Sequence, residues 1–200
     1  MSTRNKAGSV RIIAGQWRGR RLPVVNHAGL RPTTDRVRET VFNWLMQDVD
    51  GAHCLDMFAG TGVLGLECLS RGAASVVFIE SSKEVALGLE KSIDILHASA
   101  ATVINQNSIV AIQQADMKLS TALTKHKFDL VFLDPPFNFD CLLEAADLLE
   151  EKDCLSDQAI IYVEHVVQQP NLKFPRNWHR YKSGTAGQSA YGLFRRQGDL

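Results

Sequence analysis

The sequence predicts an α/β protein in which a doubly wound, mostly parallel sheet of seven strands carries helices on both faces. Three observations predict this class. From residue 53 onward, short apolar segments typical of strands alternate with longer amphipathic segments typical of helices. The glycine-rich stretch DMFAGTGVLG joins the first of these strands to its helix. Before the alternation, the basic segment SVRIIAGQWRGRRLPVV predicts a small N-terminal β-hairpin extension that turns near Gly15–Gly19.

The remaining elements follow one another in a regular order. TDRVRETVFNWLMQ predicts an amphipathic helix whose apolar side chains share one face, namely Val37, Val41, Trp44 and Leu45. Thr34 or Asp35 is suited to cap that helix. Strands are then predicted at HCLDMFA, SVVFIE, ATVINQ, FDLVFLD and QAIIYVEH, and helices between them at GVLGLECLSRG, SKEVALGLEKSIDILHA, 108–117 and FDCLLEAADLLEEK. The tail WHRYKSGTAGQSAYGLFRR predicts two more strands, which form an antiparallel hairpin at one sheet edge.

Composition narrows the class of protein. The chain has 200 residues, 45% of them hydrophobic, which suits one domain with a substantial core. Its apolar runs are shorter than a membrane span and its start lacks an apolar leader, so we expect a cytoplasmic protein with no membrane partner. We also expect the protein to be a monomer. The cysteines, at positions 54, 68, 141 and 154, form no CxxC pair, and the sequence predicts neither a disulfide framework nor a metal site.

Charge is distributed unevenly along the chain. Residues 1–38 contain nine Lys/Arg and one acid, a net charge of +8, whereas residues 39–200 contain thirteen basic and twenty-one acidic residues, a net charge of −8. A basic arm on an acidic body favours a nucleic-acid partner. A solvated tail is the alternative, but apolar residues are interleaved with the arginines. The candidate RNA contacts in this arm are Arg11, Gln16, Trp17, Arg18, Arg20 and Arg21; Trp17 is equally compatible with the hairpin's own core.

The glycine loop indicates an adenosine cofactor. Gly60, Gly62 and Gly65 fit the pattern G-x-G-x-x-G, and Glu80 ends the next strand, where a carboxylate can bind ribose hydroxyls. This pattern alone is compatible with NAD or with another adenosine cofactor. Asp56 separates the two, because its charge would repel a pyrophosphate and attract the sulfonium and ammonium groups of S-adenosylmethionine. Asp56 is also suited simply to cap the following helix.

Asn107 and Ser108 follow the third strand of the alternation. In such a sheet this position lies near the adenine of a bound cofactor. The Asn107 amide is equally suited to read the base edge and to cap the next helix.

The stretch FLDPPF, residues 132–137, ends an apolar strand with an acid, two prolines and an aromatic ring. Prolines cannot extend a strand, because they lack the N–H and fix φ, so a stiff turn follows. Asp134 and a carbonyl of the Pro135–Pro136 turn would accept the hydrogens of an exocyclic base amine and free its lone pair to attack a methyl group. Phe137 offers a face on which an unpaired or flipped base can stack.

Five segments together resemble the bacterial 16S rRNA (guanine-N2)-methyltransferase family, RsmD: RIIAGQWRGRRLPV, GLRPTTDRVRETVFNWL, CLDMFAGTGVLGLECLSRGA, VFLDPPF and TAGQSAYGLFRR. The resemblance covers nearly the whole chain. It implies a Rossmann-like class I methyltransferase domain over residues 31–200, preceded by an RNA-binding hairpin over residues 1–30. It also implies methyl transfer from S-adenosylmethionine to guanine 966 of 16S rRNA, in the 30S subunit or an assembly intermediate.

The resemblance further implies roles for individual residues. It assigns donor binding to Thr33, Thr34, Asp56, Phe58, Ala59, Gly60, Thr61, Gly62, Glu80, Asn107 and Ser108. It assigns catalysis to Asp134, Pro135, Pro136 and Phe137. The RPTTDRVRE segment would lie near the methionine end of the donor and the substrate cleft, which adds Arg31, Arg36 and Arg38 to the expected RNA contacts.

Without the resemblance, the substrate stays open. Acidic-Pro-Pro-aromatic sequences also serve adenine-N6 and glutamine-N5 methylation. An NAD oxidoreductase would share the glycine loop but leave Asp56, DPPF and the basic arm unexplained. A non-catalytic RNA-binding protein would explain the arm but not the glycine loop.

Overall fold

The hairpin at the start of the chain forms a small sheet of its own. The computed structural model describes residues 8–24, 34–114, 121–136, 141–169 and 172–198. Strands β1 (Ser9–Arg11) and β2 (Arg21–Pro23) pair antiparallel, with Val10 opposite Leu22. Gly15 and Gly19, in the connection, have φ of 78° and 82°, as the sequence predicted for a turn. The expected boundary between residues 30 and 31 lies outside the described residues.

The alternation of strands and helices confirms the predicted fold class. Its elements are α1 (Asp35–Trp44), β3 (His53–Asp56), α2 (Val63–Ser70), β4 (Ser75–Ile79), α3 (Lys83–Leu96), β5 (Ala101–Ile104), α4 (Ser108–Gln113), α5 (Thr121–Thr124), β6 (Phe128–Leu133), α6 (Leu142–Glu151), β7 (Leu155–Val166), β8 (Trp178–Ala186) and β9 (Ser189–Arg196). Among the elements of the described residues, only the single-turn α5 has no counterpart in the sequence prediction. The helix predicted over 108–117 ends at Gln113 within the described residues.

Seven strands form the main sheet within the described ranges, in the order β5-β4-β3-β6-β7-β9-β8. The strands from β5 to β7 run parallel, whereas β9 and β8 pair antiparallel at one edge. The chain first extends the sheet from β3 towards β5 and then returns to place β6 on the other side of β3. Such a reversal creates a crevice at the carboxyl ends of the strands, beside β3.

Each face of the sheet has its own apolar core. On one face, α1 and α2 pack with the hairpin side chains Val10, Ile12 and Leu22. On the other face, α4 and α6 pack against alternate residues of the same strands, including Leu133 and Val163. The hairpin therefore shares a continuous core with the main sheet. No helix among the described residues has the length and hydrophobicity needed to cross a membrane.

Candidate active site at the carboxyl edge of the sheet

Three acidic residues end three adjacent strands. β3 ends at Asp56, Glu80 directly follows β4, and Asp134 directly follows β6. Because β4 and β6 flank β3, these residues belong to strands only about 4.8 Å apart. The fold thus brings the residues predicted for donor binding and for catalysis to one edge, where open α/β sheets bind their ligands.

The glycine loop turns tightly above this edge. Gly60 and Gly62 have φ of 51° and 70°, and α2 begins directly after Gly62. Gly65, in the first turn of α2, packs so closely on β4 that a Cβ would lie 2.3 Å from Cε1 of Phe78. These glycines allow α2 to start directly over the sheet edge and leave the loop's backbone open to a ligand.

Glu80 ties the glycine loop to the start of α3. Its Oε2 accepts a hydrogen bond of 2.9 Å from the amide of Gly60, and its Oε1 accepts one of 2.7 Å from the amide of Ser82. The side chain of Ser82 in turn caps α3. Carboxylate oxygens have further lone pairs, and Glu80 is partly exposed, so ribose hydroxyls can add to these contacts.

Asp56 is a buried carboxyl group in an unfavourable setting. It is 2% exposed, and its Oδ2 accepts a hydrogen bond of 3.1 Å from the amide of Gly65. Burial raises its pKa to about 7, opposed by the Gly65 amide and assisted by the negative charge of Glu80. The helix-capping contact that the sequence left open is therefore present. A cationic ligand group beside Asp56 would restore its ionised form.

Asn107 and Ser108, which follow β5, form side-chain hydrogen bonds with nearby backbone groups. Oδ1 of Asn107 accepts a hydrogen bond of 3.2 Å from the amide of Val110, so Asn107 is the N-cap of α4. The buried hydroxyl of Ser108 donates to the carbonyl of Met57 at 2.6 Å and joins α4 to the glycine loop. Of the two interpretations of Asn107, the structure shows the cap; its Nδ2 donor is not used in that contact.

The acidic-Pro-Pro segment emerges from β6 at the centre of the edge. Asp134 is partly exposed, Pro135 is buried and Pro136 is exposed. Beneath them the ring of Phe132 packs on Phe42 and Tyr162, with centroids 6.2 and 5.9 Å away. The expected stacking residue Phe137 lies outside the described residues.

The segment before α1 is described only from Thr34, so Arg31, Pro32 and Thr33 lie outside the described residues. The Thr34 hydroxyl accepts a hydrogen bond of 3.4 Å from the amide of Val37 and caps α1, one of the two caps that the sequence predicted. Arg36 is exposed.

Arg38 corrects one RNA-contact prediction. Its side chain is 0% exposed and pairs with Asp35, and it donates to the carbonyl of Arg11 at 3.0 Å. A phosphate cannot reach this guanidinium in the folded chain. Arg38 therefore holds the hairpin against α1, and we remove it from the expected RNA contacts. The prediction followed the basic composition of the segment, although Arg38 precedes Val41 and Leu45 by three and seven residues and so shares their face of the helix.

The other arginines of the hairpin lie at the surface, as a phosphate-binding role requires. The exposed ones are Arg11, Arg18, Arg20 and Arg21, together with Gln16. Trp17 differs: it is partly buried against the core shared with α2, and its amide donates to Oγ of Ser70 at 3.0 Å. The structure thus supports the core interpretation of Trp17.

Sequence reasoning missed Glu67, which anchors the hairpin connection to α2. Glu67 is 0% exposed, and its carboxylate accepts hydrogen bonds from the amides of Ile13 and Ala14 at 2.8 and 2.9 Å. Arg71 adds an ion pair of 2.8 Å, and Arg38 lies 3.9 Å away. The available signal was a single acid inside the apolar helix GVLGLECLS.

Comparisons with known proteins agree with this arrangement. A family model described as "Conserved hypothetical protein 95" matches residues 10–195. A protein of Escherichia coli strain K12 named "Ribosomal RNA small subunit methyltransferase D" is 47% identical over 191 residues, covering 96% of this chain and 92% of the relative. A Haemophilus influenzae protein of the same name is 47% identical over 196 residues, covering 97% of each chain.

A solved structure matches over the same length. The Escherichia coli protein yhhF aligns with a TM-score of 0.85 at 44% identity, covering 96% of this chain and 100% of that chain. The alignment spans nearly the whole of both chains, so the similarity concerns the fold as a whole.

Proposed function

Because the chain belongs to the RsmD family of small-subunit ribosomal RNA methyltransferases, we propose that it transfers a methyl group from S-adenosylmethionine to the exocyclic N2 of a guanine in 16S rRNA. The family resemblance points to guanine 966, in the 30S subunit or an assembly intermediate. We place the reaction in the cytoplasm, with the enzyme acting as a monomer.

One observation carries this proposal. Asp134 and its two prolines directly follow β6, and β6 pairs with β3, the strand that ends at Asp56. In the parallel ladder Asp56 is opposite Phe132, two residues before Asp134. A methyl donor held over β3 and a base held over β6 would therefore meet at one edge. A methyltransferase needs this proximity, because its catalysis consists mainly of positioning.

The residues around Asp56 suit a cationic donor. A buried carboxyl group with a pKa of about 7 gains from a neighbouring positive charge and loses from a neighbouring phosphate. Glu80 adds a second negative group on the next strand. Glu80 suits the ribose of either cofactor, whereas Asp56 would oppose the pyrophosphate of a dinucleotide and therefore favours S-adenosylmethionine over NAD.

The chain's own residues would prepare the amine. When bound, S-adenosylmethionine supplies an electrophilic methyl group on a positively charged sulfur. Asp134 and a carbonyl of the Pro135–Pro136 turn accept the two N2 hydrogens, which directs the nitrogen lone pair at the methyl group. In the transfer, N2 would take the methyl group from the donor, and the electron pair of the broken S–C bond would stay on the donor's sulfur. The proton that N2 then loses passes to Asp134 or to water, and Phe137 stacks on the base.

The decisive experiment is methyl transfer with labelled S-adenosylmethionine on small ribosomal subunits that lack the modification, followed by nucleoside analysis. We expect label in N2-methylguanosine at one site. Label in N6-methyladenosine would keep the chemistry and refute the base assignment. Absence of label, with donor binding demonstrated, would refute methylation of assembled small subunits and direct attention to a different RNA assembly state or to a protein substrate.

The pKa of Asp56 predicts a pH dependence of donor binding. A cationic donor binds the ionised carboxylate, so below the pKa of about 7 binding must first expel a proton. Affinity for S-adenosylhomocysteine, whose ammonium group is also cationic, should be constant above that pH and fall below it. The expected loss is roughly tenfold at one unit below the pKa. Isothermal titration calorimetry across this range measures it.

Asp56→Asn is the matched control, since it keeps the shape of the side chain and removes the titrating group. Its affinity should be weaker than that of the wild type above the pKa and independent of pH. If the wild type shows the same flat profile, Asp56 does not face the cationic part of the ligand.

The hairpin arginines predict a salt-dependent RNA affinity. Arg20→Glu combined with Arg21→Glu should weaken binding to 16S rRNA and flatten its dependence on salt, because fewer counterions are released. Filter binding at several salt concentrations measures the slope. Lys83→Glu with Lys91→Glu, on the exposed surface of α3, changes net charge equally and should leave the slope nearer the wild-type value. Equal slopes in the wild type and the Arg20/Arg21 variant would exclude the hairpin as a phosphate-binding surface.

A further inference from the structure

A second acidic residue lies beside Asp134. In the parallel ladder of β6 and β7, Phe132 is opposite Tyr162 and Leu133 is opposite Val163. The next positions along are Asp134 and Glu164. Since side chains alternate between faces and the rings of Phe132 and Tyr162 are in contact, Asp134 and Glu164 share that face at neighbouring positions.

Only one of the two carboxylate oxygens of Glu164 is engaged by a hydrogen bond among the described residues. Glu164 is 6% exposed, and its Oε2 accepts a hydrogen bond of 2.6 Å from the hydroxyl of Tyr162, which is fully buried. The hydrogen bonds of the described residues do not involve its Oε1. Burial, and then the charges of Glu164 and Asp134, raise the pKa of the Tyr162 hydroxyl. Oε1 of Glu164 is not among the buried unpaired side-chain atoms of the described residues, so it retains contact with solvent and can accept a hydrogen bond from a ligand.

We propose that Glu164 selects guanine by accepting a hydrogen bond from N1–H of the target base, while Asp134 accepts one from the N2 amine. The inference rests on the proposed function and extends it to base specificity. Guanine presents N1–H and the N2 amine side by side, and two acceptors on strands about 4.8 Å apart can engage these neighbouring donors. Tyr162 donates a hydrogen bond to the other carboxylate oxygen of Glu164 and so fixes the orientation of that side chain.

The same arrangement rejects adenine. Adenine places an acceptor, N1, beside its exocyclic amine, so Glu164 would face a lone pair instead of a donor. A site built to accept a hydrogen bond discriminates strongly against a base that leaves its buried acceptor unpaired. Because acidic-Pro-Pro-aromatic sequences serve several amine substrates, Asp134 alone does not supply this selectivity. Glu164 provides a physical basis for the choice.

The test uses 2-aminopurine, which retains the exocyclic 2-amine of guanine but has an unprotonated N1. Wild-type enzyme is assayed on small subunits reconstituted with 16S rRNA that carries either guanine or 2-aminopurine at the target position. We expect kcat/KM to favour guanine by about 10²-fold or more. Equal methylation of the two bases by the wild type would overturn the inference without any variant.

Two variants of Glu164 then test whether this residue causes the preference for guanine over 2-aminopurine. Glu164→Gln keeps the volume, and with its amide oxygen paired to Tyr162 it directs an N–H at the base; Glu164→Leu removes the acceptor entirely. Both should lose most of the preference for guanine over 2-aminopurine, whereas a purely structural role would lower both rates and preserve their ratio. Glu151→Gln, on the exposed end of α6, is the matched control and should keep the wild-type ratio.

Binding of S-adenosylhomocysteine and thermal melting of each variant report on the integrity of the fold. A wild-type guanine preference retained in both Glu164 variants would overturn the inference. It would leave the proposed function intact, because that function is judged separately by whether the wild type produces N2-methylguanosine at all.

Discussion

Replacing Asp134 by alanine is expected to abolish methyl transfer while leaving donor binding nearly unchanged. Asp134 follows β6, whereas the groups expected to hold the donor, Asp56 and Glu80, end β3 and β4. Loss of an acceptor that positions and activates the amine should lower kcat by on the order of 10³-fold. The measurement is single-turnover transfer of labelled methyl groups to unmodified small subunits, with S-adenosylhomocysteine affinity measured in parallel.

Asp147→Ala provides the matched control for this experiment. Asp147 lies on the exposed side of α6, so this variant removes a carboxylate of the same kind at a position far from the proposed chemistry. It should retain the wild-type rate. A single-turnover rate for Asp134→Ala within a factor of a few of wild type would exclude Asp134 from the reaction. A parallel loss of donor affinity would instead place Asp134 in the donor site.

The second large effect is expected at Glu67, where a single carboxylate joins the hairpin to α2. Glu67→Ala leaves the amides of Ile13 and Ala14 without their acceptor and the buried guanidinium of Arg38 without one of its two acidic neighbours. Removing one member of a buried charged network typically costs about 3–5 kcal/mol of unfolding free energy. For a protein of this size, about 3 kcal/mol corresponds to a fall in Tm of roughly 6–12 °C.

Differential scanning calorimetry tests the stability effect directly. Glu90→Ala, which removes an exposed acid from α3, should change Tm little. We also expect Glu67→Ala to weaken 16S rRNA binding more than donor binding, because the hairpin loses its attachment to α2. An unchanged Tm would show that the apolar contacts of the hairpin and its hydrogen bonds to Ser70 and Arg38 hold it without Glu67.

Local patterns in the sequence were sufficient for the sheet, the helices and the positions of the acidic groups. The alternation of apolar periods predicted the strands and helices of the main sheet, and the glycine spacing placed the loop between β3 and α2 correctly. Asp56, Glu80 and Asp134 were predictable because each directly ends an apolar strand. The carboxyl ends of neighbouring parallel strands meet at one edge of a sheet.

Side-chain partners across the fold were not predictable in the same way. Arg38 was expected at an RNA surface because it belongs to a basic segment, yet it is buried against the hairpin. Glu67 appeared to be one acid in an apolar helix, and its partners at positions 13 and 14 are more than fifty residues away. Trp17 had two equal interpretations until its packing against the shared core favoured one.

By itself, the sequence determined the class of fold, the glycine loop, the acidic-Pro-Pro turn and the family, because these depend on periodicity and on motifs within short stretches of chain. Only the tertiary structure decided which charged groups face solvent, which hold the hairpin and which lie at the carboxyl edge of the sheet. Glu164 shows the difference: its place in YVEH reveals an acid at the end of a strand. Its position next to Asp134 arises from the register of β6 and β7, and that register depends on packing between segments that are distant in sequence.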